Sequence, residues 1–164
     1  MWVLCLHQLG VVRDLGVHDI DLIRYITNSE FKRIEAFTSE RRGGIELSGV
    51  LSFEMENGSL AYIITNTVTP LKMRRIEVTT TKRLLVGDLI SQKVTEYSKG
   101  ELISYAHRSA FVHEINIPYV EPLKLELKAF LNSIQQKLPP LVTGEDGLKA
   151  MEVAVKCLQS MQHR

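Results

Sequence analysis

The stretch Asp14-Leu15-Gly16-Val17-His18-Asp19-Ile20-Asp21 decides how this chain is read. As the opening of a helix, with a step of about 100° per residue, it puts Asp14, His18, Asp21 and Tyr25 on one stripe and Leu15, Val17, Ile20, Leu22, Ile23 and Ile26 around the rest. A helix that apolar is largely buried, so its polar stripe faces a polar partner, a cleft or water. A carboxylate four residues before an imidazole orients the ring and stabilises its protonated form, which is what a general base needs. A plainer reading fits the same residues: Asp14 caps the helix, Asp19 and Asp21 offset its positive end, and His18 does no chemistry. A metal held by Asp14, His18 and Asp21 is disfavoured, because no second His or Cys cluster supports it.

Outward from this stretch, residues 1–9 carry no period and read as an irregular lead-in to a single domain over 10–164. Asn28-Ser29 stops the helix after Thr27, since both favour turns over helix interiors. Strands are expected at 31–38 and 45–55, the second from its strict alternation of Ile45, Leu47, Leu51, Phe53 and Met55 with polar or small residues. Asn57-Gly58 signals a type I′ hairpin to a partner at 60–69, stopped at Pro70. Further strands are expected at 73–80 and 83–86, broken by Gly87-Asp88, and a hairpin is expected around Ser98-Lys99-Gly100-Glu101, between 92–97 and 102–105. Residues 106–118 have no firm period, and His107 and His113 within them carry no chemical signal, nor do His7 and His163 near the termini.

Proline is tolerated in a first helical turn, and after Glu121-Pro122 the residues Leu123, Leu127, Phe130, Leu131 and Ile134 recur at helical spacing to about Lys137. A last helix from Gly144 to about Gln162 carries Leu148, Met151, Val155 and Leu158 as its apolar stripe. Helix, strands and then two helices predict an α+β fold: an open, predominantly antiparallel or mixed sheet with helices packed on one face. The other sheet face, in strands 45–80, carries enough Val, Ile and Leu to pair with a second copy, so a homo-oligomer through that face is expected.

Composition narrows the classes. With 164 residues, 45% hydrophobic and 24% charged, the chain reads as one ordinary globular domain, and its net charge of +1 predicts no polyanion partner. Arg41-Arg42 and Lys72, Arg74 and Arg75 lie among threonines and aliphatics without an aromatic platform, which disfavours nucleic acid. Cys5 and Cys157 form no paired motif, so neither zinc nor a disulfide is suggested and the reducing cytoplasm is the expected compartment. The apolar run from Met1 to Leu6 is too short to span a membrane.

Two motifs then carry a resemblance. The segment Val12-Arg13-Asp14-Leu15-Gly16-Val17-His18-Asp19-Ile20-Asp21, with Glu121-Pro122-Leu123 and Pro140-Leu141-Val142-Thr143-Gly144-Glu145-Asp146-Gly147-Leu148-Lys149-Ala150, resembles the C-terminal domain of the glucose-fructose oxidoreductase / inositol dehydrogenase (Gfo/Idh/MocA) family. It is also similar to the branch acting on nucleotide sugars, such as UDP-N-acetylglucosamine 3-dehydrogenases. The resemblance implies a glyceraldehyde-3-phosphate dehydrogenase-like C-terminal fold and, in the complete family, NAD or NADP taking a hydride from a sugar or polyol. It makes His18 the acceptor of the substrate hydroxyl proton and Asp14 the group that binds substrate or orients the site, with Asp21 and Tyr25 as further substrate-binding candidates on the same stripe. The chain departs from the family by having no G-x-G-x-x-G after a strand and no E-K-P lysine, so no cofactor is expected on this chain alone. Three functions follow: a substrate-binding and oligomerisation domain inactive by itself, a non-catalytic assembly or regulatory module, or one chain of a split oxidoreductase that meets a separate Rossmann-domain chain.

Overall fold

The computed structural model describes residues 9–38, 41–42, 44–104 and 107–160. Trp2, Cys5, His7 and His163, and all of the 1–9 lead-in except Leu9, lie outside them. The described residues form two units, one running up to Thr69 and resuming at Asn132, the other Pro70–Leu131.

The first unit opens with a helical run that passes through a π-helical turn, Val12–Gly16, into α1, Val17–Thr27. Strands β1 (Phe31–Thr38), β4 (Ser48–Met55) and β5 (Leu60–Asn66) form an antiparallel sheet in the order β1-β4-β5, and β2 (Arg41–Arg42) and β3 (Ile45–Glu46) form a small ladder. The single strand expected over 45–55 is thus divided by a bend at Leu47. Helix α3, Gly144–Ser160, completes this unit.

The alternation in β4 does what it predicts. The rows Ala36–Leu51–Ile63 and Ile34–Phe53–Ala61 face inward. There they meet Val11, Val12 and Ile20 of the first helical run and Ala150, Val153, Ala154 and Cys157 of α3, with the Phe31 and Phe53 rings 4.6 Å apart. The inner face of α3 therefore differs from the expected one: Leu148, Met151 and Val155 are exposed, Leu158 alone of the expected stripe packs against the core, and the helix turns its small residues inward. Small side chains let one helix lie close to both α1 and the sheet, which a stripe of Leu and Met would hold apart.

The hairpin at Asn57-Gly58 forms, but not as a type I′ turn, because only Gly58 has positive φ (+82°). Its N–H bonds to the Met55 carbonyl at 3.0 Å, closing a type I turn before the left-handed glycine. Asn57 instead uses its side chain to donate to the Thr27 carbonyl at the end of α1 (3.1 Å) and to accept from the Ser59 N–H (3.0 Å).

The second unit is an antiparallel meander, β6 (Arg75–Thr79), β7 (Arg83–Asp88), β8 (Lys93–Ser104) and β9 (His107–Ile115), followed by the start of α2, Pro122–Gln136. Gly87-Asp88 continues β7 instead of breaking it; the Asp88 carboxylate accepts from the N–H groups of Ile90 (2.8 Å) and Ser91 (2.9 Å) to make the turn. The polar stretch 98–101 is not a hairpin loop either, since β8 runs through it and absorbs it as a register shift between Lys99 and Leu102 against β9. The Gln92 amide donates to the Val120 carbonyl (2.7 Å) and accepts from its N–H (3.0 Å), fixing the approach to α2. Lys137, at φ 54°, ends α2 while the Leu138 N–H reaches back to the Ser133 carbonyl (3.0 Å), a Schellman closure. The α+β fold class read from the sequence holds, with its strands divided between two antiparallel sheets.

Candidate functional site

The stretch from Asp14 to Asp21 lies across the change from π to α helix. Helical structure begins before Asp14, so this residue is not the N-cap; it sits inside the π turn, and no side chain caps either helical segment. A π turn is wider than an α turn, which brings residues four apart closer to the same side than the 100° step does, and such turns recur at functional sites. Asp14 is half-buried and His18 exposed, one on each side of the junction at Gly16. Neither side chain makes a hydrogen bond or ion pair to another described residue.

Two observations hold this junction in place. Gly16 is buried, and a Cβ there would lie 3.5 Å from Leu51 Cδ1, so the helix rests directly on the sheet. Gly10, at φ +75°, starts the helical run, and the Glu46 carboxylate occupies the space a Cβ at Gly10 would need. Glu46 is 7% exposed, with its Oε1 buried and without a hydrogen-bond partner among the described residues, and a carboxylate beside the start of a helix is favoured by the positive end of the dipole.

Asp21 and Tyr25, the other two members of the stripe, diverge. Asp21 lies 3.5 Å from Arg24, within a network that joins the end of α1 to the start of β1 and α3. Arg24 donates to both oxygens of Glu30 (3.0 and 2.8 Å) and to the Asp146 carbonyl (3.3 Å), and Lys149 reaches Glu30 at 3.2 Å. The Arg24 guanidinium, aided by Lys149, holds the Glu30 carboxyl down to about 2 against the opposing effect of burial. Asp146 is held below the usual carboxylate range chiefly by Thr143, whose hydroxyl it accepts from at 2.7 Å while the Asp146 N–H donates to that hydroxyl at 3.2 Å. This Thr143-x-x-Asp146 capping box marks the start of α3 in the sequence itself. Tyr25 is 81% exposed, with Leu15 and Ile26 also exposed on the same helical run.

The described residues offer a base and a carboxylate on an open helix, but no cradle for a dinucleotide. Gly44 leads into the strand β3, not into a helix N-terminus whose amides could hold a pyrophosphate, so a nicotinamide cofactor does not fit here. Among the described residues no group of three His, Cys, Asp or Glu is placed to hold a metal, and no helix is long and apolar enough to cross a membrane. The outer face of the first sheet carries a shallow groove of about 490 Å³, lined among others by Gly49, Val50, Ile64 and Val68.

The α+β class and the helix carrying Asp14 and His18 accord with the resemblance read from the sequence, and the comparisons identify the family. A family model described as the GFO/IDH/MocA C-terminal domain matches residues 6–86. The chain belongs to the Gfo/Idh/MocA oxidoreductase family, of which it is a C-terminal domain. It is 24% identical to a myo-inositol 2-dehydrogenase of Thermotoga maritima, over 94% of this chain and 48% of that protein. It is 26% identical to the uncharacterised oxidoreductase YrbE of Bacillus subtilis, over 93% of this chain and 46% of that protein. Among solved structures, UDP-N-acetylglucosamine 3-dehydrogenase GnnA from Acidithiobacillus ferrooxidans superposes with a TM-score of 0.86 over 95% of this chain and 50% of that one, at 19% identity. The chain spans about half the length of the curated relatives it matches.

Proposed function

We propose that this chain is the substrate-binding and oligomerisation domain of an NAD(P)-dependent oxidoreductase acting on a sugar or nucleotide sugar, and that it is inactive by itself. The observation that carries the reading is the pair Asp14 and His18, across the π-to-α junction of a helix whose outer side is open. On this reading His18 accepts the proton of a substrate hydroxyl and Asp14 binds the neighbouring part of the sugar or steadies the imidazolium that forms. Tyr25, exposed on the same helix, is a further substrate contact, whereas the geometry of Asp21 favours a structural pairing with Arg24. The nucleotide is held by a companion half supplied on the same polypeptide or by a separate Rossmann-domain chain.

The oligomer forms through the outer face of the first sheet. There Val50 and Ile64 are cross-strand neighbours and Tyr62 lies two residues along, with Ile64 69% and Tyr62 66% exposed. Contiguous apolar surface of this kind on a sheet favours a self-complementary, two-fold contact. Sedimentation of the chain tests this: a concentration-dependent dimer is expected, and Ile64→Glu is expected to give a monomer with unchanged circular dichroism. A monomer before any substitution contradicts the interface. If the oligomer persists and no companion half restores oxidation, the chain is instead the non-catalytic assembly module, a reading that the exposed sheet face also favours.

A further inference from the structure

The tip of the β4–β5 hairpin is bonded to the end of α1. The Glu56 N–H donates to the Glu30 carbonyl (2.9 Å), the Asn57 N–H to the Ser29 hydroxyl (3.1 Å), and the Asn57 side-chain amide to the Thr27 carbonyl (3.1 Å). Thr27 is the last residue of α1, and the terminal carbonyls of a helix have no partner within it, so Asn57 supplies one of the donors that this end lacks. Asn57 is also the one asparagine of the chain that precedes a glycine, and both residues are exposed to water. That pairing has a chemistry of its own. The backbone nitrogen of the following residue can attack the asparagine side-chain carbonyl, and a glycine, having no side chain, hinders the attack least.

We infer that Asn57-Gly58 is a deamidation site, latent while the hairpin is docked on α1, and that its reaction irreversibly releases the end of that helix. In the step itself, hydroxide takes the Gly58 N–H proton, the nitrogen bonds to Asn57 Cγ, and ammonia leaves with a proton from water, closing a five-membered imide. Water then opens the imide at either carbonyl, giving aspartate at 57 or its β-linked isomer; no oxidant or reductant takes part. The fold engages every group that must move. The Gly58 N–H is bonded to the Met55 carbonyl (3.0 Å), the leaving amide nitrogen to the Thr27 carbonyl, and the amide oxygen to the Ser59 N–H (3.0 Å). The reaction therefore waits on local opening of the hairpin, as hydrogen exchange of the same N–H does. Its product cannot return to the clamp: a carboxylate has no hydrogen to donate to the Thr27 carbonyl, and its charge falls at the negative end of the α1 dipole.

The test incubates the complete chain in mildly alkaline buffer, folded and in guanidinium chloride, and follows each asparagine by peptide mass. Asn57 is expected to convert fastest of the asparagines in the unfolded chain, and about tenfold or more slower in the folded one. Ser29→Ala, which removes one bond of the clamp, is expected to speed conversion of folded Asn57 several-fold and to leave its unfolded rate unchanged. Asn57→Asp stands in for the product: with circular dichroism unchanged, hydrogen exchange is expected to rise in the last turn of α1, Arg24 to Thr27, and not in α3. Equal rates at Asn57 in the folded and unfolded chains, or no acceleration in Ser29→Ala, overturn the latency. An unfolded chain that converts at Asn28, before Ser29, faster than at Asn57 overturns the site, and unchanged exchange at the end of α1 in Asn57→Asp overturns the release.

Discussion

At the residue scale the proposed chemistry turns on His18 and Asp14, and the geometry around them on glycines and one arginine. Gly10 is the most exacting position: its positive φ and the carboxylate of Glu46 both exclude a side chain. Gly10→Ala is expected to lower stability by about 1–3 kcal/mol, read as a fall in the urea midpoint. Arg24, with its side chain only 10% exposed, meets three acidic side chains. Arg24→Met leaves them facing one another and is expected to cost about 2 kcal/mol. The same network predicts a pH dependence. The folded Glu30 carboxyl titrates at about 2 and the unfolded one near 4.5, so the pair stabilises the fold fully above about 4.5 and loses that contribution as pH falls towards 2. Glu30 remains 44% exposed, and solvent screening makes the loss smaller than the shift alone implies. Glu30→Gln is expected to flatten the acid limb of a stability–pH curve between those values.

At the element scale, the strands and helices with a single dominant signal were legible in the sequence, and those whose signal conflicted were not. The alternation of β4 and the proline start of α2 needed no tertiary information: α2 forms where the pattern puts it, and β4 forms over the larger part of the expected strand, beyond the bend at Leu47. The π turn was not legible: nothing in Val12–Gly16 separates it from an α turn, and it made Asp14 an interior residue instead of a cap. The polarity of Ser98 to Glu101 suggested a loop, yet an exposed strand of a meander tolerates polar residues on both faces and absorbs Gly100 in a bulge. In α3 the large apolar residues drew attention from the small ones that pack. Leu51→Ala, at the centre of β4 and fully buried, is expected to cost about 3 kcal/mol, whereas Leu148→Ala, more than half exposed, is expected to cost under about 0.5 kcal/mol. Thermal denaturation of the two variants checks this, the Leu148→Ala result reporting which face of α3 is inside.

At the scale of the whole molecule, the described surface exposes large apolar side chains on several elements. The outer face of the first sheet and the open side of α1 are two such surfaces, for which a second copy and the substrate are proposed above. The site candidates Asp14 and His18 were legible from spacing and resemblance together. Spacing alone favoured the capping role, because a motif fixes residue types and not which side of the helix stays open. The demotion of Asp21 needed the position of Arg24, which no local pattern supplies.

The measurement that tests the central claim most directly is cofactor-dependent oxidation of a panel of sugars and nucleotide sugars by this chain joined to a nucleotide-binding half, with and without His18→Ala. Oxidation by the joined protein, with kcat lowered by about 10²–10⁴ in His18→Ala while sedimentation and circular dichroism stay unchanged, is the predicted result. A His18→Ala protein that oxidises the same substrate at the full rate would contradict the assignment of this helix as the substrate site.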